Sequence, residues 1–406
     1  MKEKIAIFLD IRKNSGGAYQ ELAYMLEKIS SKFQDKLDIS IISTSPNLKI
    51  ESDKLNLKTY YLSMNFIERH IAFLRNYDPT IRRLKKYFFF SNKFENLLKK
   101  LNIDLVYFTG PSQYSLYLEN TDFIITIPDL SHREDLEFPE WTKSSEFQRR
   151  DEIISKSTVK AIAVITNANI IKDKISSIYS VEKNRIYVIN HRPSLGISKY
   201  RNYEPKLFEE LKKKYNLPKK YIFYPAMYLP HKNHKYIIDV IKILNNESNI
   251  EMSAVFCGSD KGYLNKIKNY SKETGQQQNS FFLDFVEDKY LPYLYLNSVA
   301  LTMPTFSGPT NIPPWEAFML NVPVLYSNIH NVKEVYKEAV LYIDPFKPMT
   351  MVNGLKEILT NENTRKKLLL NGKRILDSVD ENKEFNQFYE IIKKRRNIIN
   401  TWEFKN

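Results

Sequence analysis

Short apolar runs recur along the chain, bounded by turn residues and separated by stretches with helical spacing. In the first half Ile5–Leu9, Ile39–Ile42, Leu105–Phe108, Ile124–Ile127, Ala161–Ile165 and Ile186–Ile189 read as strands. Between them Gln20–Phe33 and Lys93–Leu101 carry the period of amphipathic helices. The second half repeats the theme with Tyr221–Tyr224, Met252–Phe256, Phe281–Phe285, Val299–Met303, Val322–Tyr326 and Val340–Ile343. Strands alternating with helices predict parallel, doubly wound α/β sheets. The polar, charged segment from Pro193 to Pro218 is the expected linker, and a last helical stretch, Glu381–Trp402, follows the second set of strands. The start of the chain has the charged-then-apolar order of a signal peptide. Its apolar run is short, Asp10 interrupts it and no small-residue cleavage site follows, so it reads as a first buried strand.

At 406 residues the chain is too long for one ordinary core, which agrees with two domains. A single cysteine, Cys257, cannot form an internal disulfide, so nothing requires an oxidising compartment. No apolar stretch approaches the roughly 20 residues of a membrane helix. A soluble, cytoplasmic protein is expected. The formal net charge of +14 suits anionic partners, yet lysines are spread along the whole length, as on ordinary solvated faces. One cluster stands apart: Arg82, Arg83, Lys85 and Lys86 beside Tyr87, Phe88, Phe89 and Phe90. It fits a peripheral contact with an anionic membrane and equally a core helix with one charged face. A nucleic-acid partner is not expected, because no compact basic motif or stacking ribbon accompanies the charge.

Glycine is scarce, with 10 in the chain, so its positions are informative. Gly16-Gly17 follow the first strand, Gly258 follows a strand of the second half, and Gly308 lies in a Pro-rich loop that opens into a helix carrying Glu316. Such turns face the crevice of doubly wound sheets. A helix N-terminus offers unpaired N–H groups and a favourable dipole to a phosphate or a polyhydroxylated ligand. Lys232 stands in a Pro-His-Lys-Asn-His turn after Tyr221–Tyr224, where a phosphate contact outweighs a solvated surface lysine. His231 and His234 lack a third ligand, so no metal site is expected. Asp129 and His132 follow Ile124–Ile127; a satisfied structural histidine is the bland alternative for His132. There is no G-x-G-x-x-G fingerprint, no Walker A sequence and no Asp-x-Asp motif.

Gly308-Pro309-Thr310-Asn311-Ile312-Pro313-Pro314, then Glu316-Ala317, Pro323-Val324 and Ser327, resembles the C-terminal signature of the retaining glycosyl transferases of group 1, or family 4. The variant looks like the Gly-Pro-Thr-Asn form of bacterial polysaccharide and O-antigen enzymes. Gly308 stands where the pattern has its first Glu, Met227 where a phosphate-binding Arg is usual, and Pro128 where a His is usual. The resemblance implies a GT-B fold: an acceptor-side domain over 1–195, a linker over 196–218, a donor domain over 219–379, and a tail, 380–406, returning to the first domain. It implies transfer of a hexosyl-type sugar from a nucleotide-diphosphate donor to a hydroxyl of a glycan or lipid-linked saccharide, in cell-surface polysaccharide synthesis. Retention of configuration follows, with no metal or other cofactor. Asp129, His132 and Glu316 become the catalytic candidates. Gly16, Gly17, Lys232, Gly258, Phe285, Val286, Thr310, Asn311, Ile312 and Glu316 become the donor-binding ones. A nucleotide-sugar epimerase of the same fold and an inactive transferase-like binding module are the alternatives.

Overall fold

The computed structural model describes residues 2–10, 16–45, 55–84, 92–202, 204–248, 250–284 and 286–402, the side chains at 82 and 84 excepted. Asn14, Ser15, Phe285 and the 85–90 part of the basic aromatic cluster lie outside the described residues.

Two parallel sheets form. The first comprises β1 (Glu3–Leu9), β2 (Leu37–Ser43), β3 (Lys58–Tyr61), β4 (Leu105–Phe108), β5 (Asp122–Thr126), β6 (Ala163–Thr166) and β7 (Ile186–Val188), in the order β3-β2-β1-β4-β5-β6-β7. The second comprises β8 (Tyr221–Pro225), β9 (Ser253–Cys257), β10 (Ser280–Leu283), β11 (Leu301–Met303), β12 (Val324–Ser327) and β13 (Leu341–Ile343), in the order β10-β9-β8-β11-β12-β13. Successive side chains of a strand point to opposite faces. In β1, Ala6 and Phe8 enter one core while Ile5, Ile7 and Leu9 enter another. Helices cover both faces, which is why the strand reads as an unbroken apolar run.

The final helix, Glu381–Ile399, covers the second of those faces: Phe385, Phe388, Ile391 and Ile392 pack with Ile5, Ile7 and Tyr107. Burying each Phe contributes roughly 1.5–3 kcal/mol. Arg395 fixes the far end of the helix, donating to Asp122 (2.7 Å), Glu3 (3.0 Å) and the Asp104 carbonyl (2.9 Å). Glu384 pairs with Arg192 at 2.8 Å, close to where the chain leaves the first sheet.

The segment expected as linker folds into two helices, Leu195–Tyr200 and Pro205–Tyr215. Pro205 starts the second of them, where its missing N–H costs nothing. Asn216 in the left-handed region (φ 47°) ends it. Ile197, Leu211 and Leu217 are buried in the second domain's core. β3 went unread because Lys58–Tyr61 is a half-exposed edge strand with no apolar alternation.

Candidate functional site

In an open parallel sheet, ligands bind beyond the carboxyl ends of the strands where the strand order reverses. The second sheet reverses between β8 and β11, so the loops after them, Ala226–Asn233 and Pro304–Asn311, border the crevice. The first domain faces these loops closely. A Cβ placed on Gly16 would lie 3.6 Å from the Met227 side chain, and one on Gly17 would lie 3.7 Å from Ile312 Cδ1. Glu140 accepts the His231 backbone N–H at 3.0 Å and also bonds the His231 imidazole. Phe138 packs on Phe306 (ring centroids 5.4 Å apart) and Trp141 on His231 (5.4 Å).

Lys232 occupies the middle of this contact. The Tyr224 hydroxyl donates to the Lys232 carbonyl at 2.8 Å, and Asn233 turns the chain in the left-handed region (φ 55°). The ammonium donates to Asn311 Oδ1 at 3.3 Å. Burial pulls the Lys232 pKa down to about 8, against the attraction of Asp129 and Glu140. Asp129 lies across the cleft and accepts from the Ser131 N–H (3.0 Å) and Arg150 (3.2 Å). Burial acts to raise its pKa, but Arg150 and the Ser131 N–H outweigh it and hold the carboxyl below its usual range. Lys232, Asn311 and Asp129 are therefore brought together.

Other expected residues have different surroundings. Glu316 is enclosed rather than open to a ligand: it accepts from the Tyr295 hydroxyl at 2.5 Å and from the Ser194 N–H at 3.3 Å. Burial raises its carboxyl pKa against those two partners. It ties the helix Ile312–Met319 to the start of the interdomain segment. His132 is fully buried inside the first domain, with Nε2 3.4 Å from Asp151 and Nδ1 without a hydrogen-bond partner among the described residues. It does not line the cleft as expected, because Asp151, shared with Arg133 and Tyr179, draws it inward. Burial, then the nearby Arg150, lowers its pKa. Gly258 has no side chain for a reason internal to the fold: a Cβ there would stand 2.2 Å from the Ala226 carbonyl oxygen. Val286 is a buried core residue.

The loop before Glu316 is pinned from within. Asn311 Nδ2 donates to the Gly308 carbonyl (2.6 Å) and to the Tyr326 hydroxyl, and Tyr326 donates to the same carbonyl (2.7 Å). The Asn311 N–H is committed to the Tyr336 hydroxyl at 3.1 Å, so it is not offered to a ligand as expected. Pro313 and Pro314 have no N–H to offer. The amides of Thr310 and Ile312 remain, neither with an acceptor among the described residues. Sequence reasoning missed Arg150, Tyr295, Tyr326 and Tyr336. No short motif contains them; only the fold sets them around Asp129, Glu316 and Asn311. His231 is the partner of Glu140.

Residues 208–375 match the family described as Glycosyl transferases group 1. The O-antigen chain mannosyltransferase RfbU of Salmonella typhimurium is 26% identical over 206 residues, 51% of this chain and 53% of that protein. The O-antigen chain mannosyltransferase B of Escherichia coli is 24% identical over 209 residues, 51% and 54% of the two. The chain thus spans about half the length of the curated relatives it matches. Among solved structures, Anabaena Alr3699/HepE in complex with UDP-glucose superposes with a TM-score of 0.72 at 13% identity, over 96% of this chain and 99% of that one. WaaG, a glycosyltransferase involved in lipopolysaccharide biosynthesis, gives 0.69 at 16%, over 96% and 99%. Over residues 208–375 the chain is thus similar to the group 1 glycosyl transferases, it resembles bacterial O-antigen enzymes, and it has the GT-B fold.

Proposed function

We propose that this protein transfers a hexosyl sugar from a nucleotide-diphosphate donor to a hydroxyl of a glycan or lipid-linked saccharide, in cell-surface polysaccharide synthesis. The convergence of Lys232, Asn311 and Asp129 at the β8/β11 crevice carries the reading. A half-buried ammonium with one neutral hydrogen-bond partner is suited to a diphosphate. It strengthens as charge develops on the leaving group, because water is excluded around it. The Thr310 and Ile312 amides would add donors on the same side. In this reading the diphosphate departs without a divalent cation, and configuration is retained. Gly16 and Gly17 leave room for the donor once Met227 moves aside. Glu316 would reach a ribose or sugar hydroxyl by exchanging one of its two internal partners. Asp129 would face the transferred sugar from the acceptor side.

Among the described residues no helix is long and apolar enough to cross a membrane. A peripheral contact with an anionic bilayer at the inner face of the membrane is part of the proposal. The exposed Arg83 supports it, together with the exposed Phe66 and Ile67 on the helix before it. Pelleting with anionic vesicles should fall when Arg82, Arg83, Lys85 and Lys86 are neutralised; unchanged pelleting ends that part.

Thermal denaturation with UDP-glucose, GDP-mannose and other nucleotide sugars tests the main reading, since a ligand of the native state raises the melting temperature. One donor should stabilise the wild type, and Lys232→Met should abolish the shift. No shift with any donor would sink the proposal. Nucleoside diphosphate released only with an acceptor present supports transfer. Sugar interconversion without one would support the epimerase.

A further inference from the structure

The first sheet has a reversal of its own. β1 leads outward to β2 and β3, β4 leads the other way to β5, β6 and β7, and β1 and β4 lie side by side. In the second domain the corresponding place holds Lys232 and Asn311. In the first it holds Asp10, the residue that follows β1 after five buried apolar positions. The Asp10 carboxylate accepts a hydrogen bond from the Ser112 hydroxyl, which belongs to the loop after β4, so the pair straddles the reversal. A carboxylate has about four lone-pair sites; Ser112 uses one and the Asp10 backbone N–H a second, which leaves two without a donor among the described residues. The side chain is half-buried, and burial raises its pKa against the Ser112 bond and Arg149. Arg149 is itself engaged with Glu146 at 2.7 Å, so among the described residues Asp10 has no dedicated ion pair.

The position continues into the crevice already described. Arg149 and Arg150 are neighbours on the helix Glu146–Lys160; Arg149 acts on Asp10, and Arg150 pairs with Asp129, which acts on Lys232. A strip of charged groups, with the Arg149-Arg150 pair between the two carboxylates, therefore joins the two reversal points. A diphosphate belongs at the Lys232 end and is repelled at the Asp10 end. What a half-buried carboxylate with free lone pairs accepts is an O–H donor.

We infer that Asp10 binds and orients the attacking hydroxyl of the acceptor saccharide, a role that rests on the transferase reading above. Asp10→Asn separates this from mere anchoring of a loop, since the amide oxygen keeps the Ser112 bond and the shape. Nucleoside diphosphate release from UDP-glucose and GDP-mannose is measured with octyl α-mannoside, octyl β-glucoside or water as acceptor. Asp10→Asn should cut release at least tenfold with every acceptor the wild type uses, while the donor-induced thermal shift stays at its wild-type value. Asp10→Glu should recover part of the rate. Release within threefold of wild type in Asp10→Asn, or a lost donor shift in that variant, overturns the inference. Failure of the wild type itself to respond to any donor would instead bring down the transferase reading.

Discussion

Under the proposed function, raising the pH from 7 to 9.5 should weaken binding of a nucleoside diphosphate, with Lys232 as the cause. Burial brings its pKa to about 8, where an ordinary lysine stays charged past pH 10. In the empty protein the ammonium is about nine-tenths protonated at pH 7 and about one-tenth at pH 9. A bound diphosphate favours the charged form, so binding at pH 9 must draw a proton from solution. Each unit above the pKa then costs about 1.4 kcal/mol, a tenfold loss of affinity. The phosphates of the ligand do not confuse the reading, because a phosphate monoester is fully ionised well above its second pKa of about 6, and ADP, whose base does not titrate in this range, controls for ionisation of the uracil ring. Titration calorimetry with UDP, in buffers of different ionisation enthalpy, measures affinity and proton uptake together. Uptake should be near zero at pH 7 and approach one proton at pH 9. Lys232→Arg should bind with a flat profile, since a guanidinium stays charged. Asp129→Asn removes a charge that holds the Lys232 pKa up, so its loss of affinity should begin at lower pH. Stability of the empty protein should move the other way. The folded pKa lies below the unfolded one, so between about 8 and the ordinary lysine value the unfolded chain binds more protons and stability rises with pH. Equal affinity for UDP at pH 7 and 9.5, with no proton taken up, would refute the argument.

Gly258→Ala places a methyl 2.2 Å from a backbone oxygen and should cost about 3 kcal/mol or more, read as a large drop in melting temperature. Phe388→Ala opens a cavity between the final helix and β4, where its ring meets Tyr107 at 5.1 Å; a loss of about 3–5 kcal/mol should appear in urea denaturation. Glu140→Ala leaves the His231 N–H and imidazole without their acceptor at the contact between the domains. The donor KM should rise and the radius of gyration from small-angle scattering should grow, whereas a purely local role would change neither.

The fold was largely legible because both sheets are buried on both faces. Continuous apolar runs such as Ile5–Leu9 and Leu105–Phe108 announce such strands, and these became β1 and β4. β3 and the two helices of the linker segment carry weaker signals, since one is a half-exposed edge and the others bury few side chains. In the site, Lys232 was legible from its turn and Asn311 from its loop. What each touches was not. The sequence alone cannot show that Tyr336 takes the Asn311 N–H or that Tyr295 encloses Glu316, because those partners come from other elements. His132 shows the same limit: its neighbour Asp129 acts on Lys232 through its charge, yet its own ring turns toward Asp151, a helix away.

The charges of the crevice come from opposite domains, and this changes how the missing glutamate at Gly308 is understood. Gly308 has φ +85°, a conformation costly for a side chain, and its carbonyl is held by Asn311 and Tyr326. The loop is rebuilt around a glycine, so a glutamate could not simply be restored there. A carboxylate nevertheless lies beside it: Asp135 of the first domain bonds Ser307, with its pKa raised by burial. Asp129 and Glu140, which act on Lys232, also come from the first domain. Opening the cleft would rehydrate Lys232 and return its pKa toward the ordinary value. Closing it empty desolvates the ammonium at a cost, which a diphosphate offsets. Under the proposed function the donor therefore favours the closed form, and protonation of Lys232 is coupled to closure.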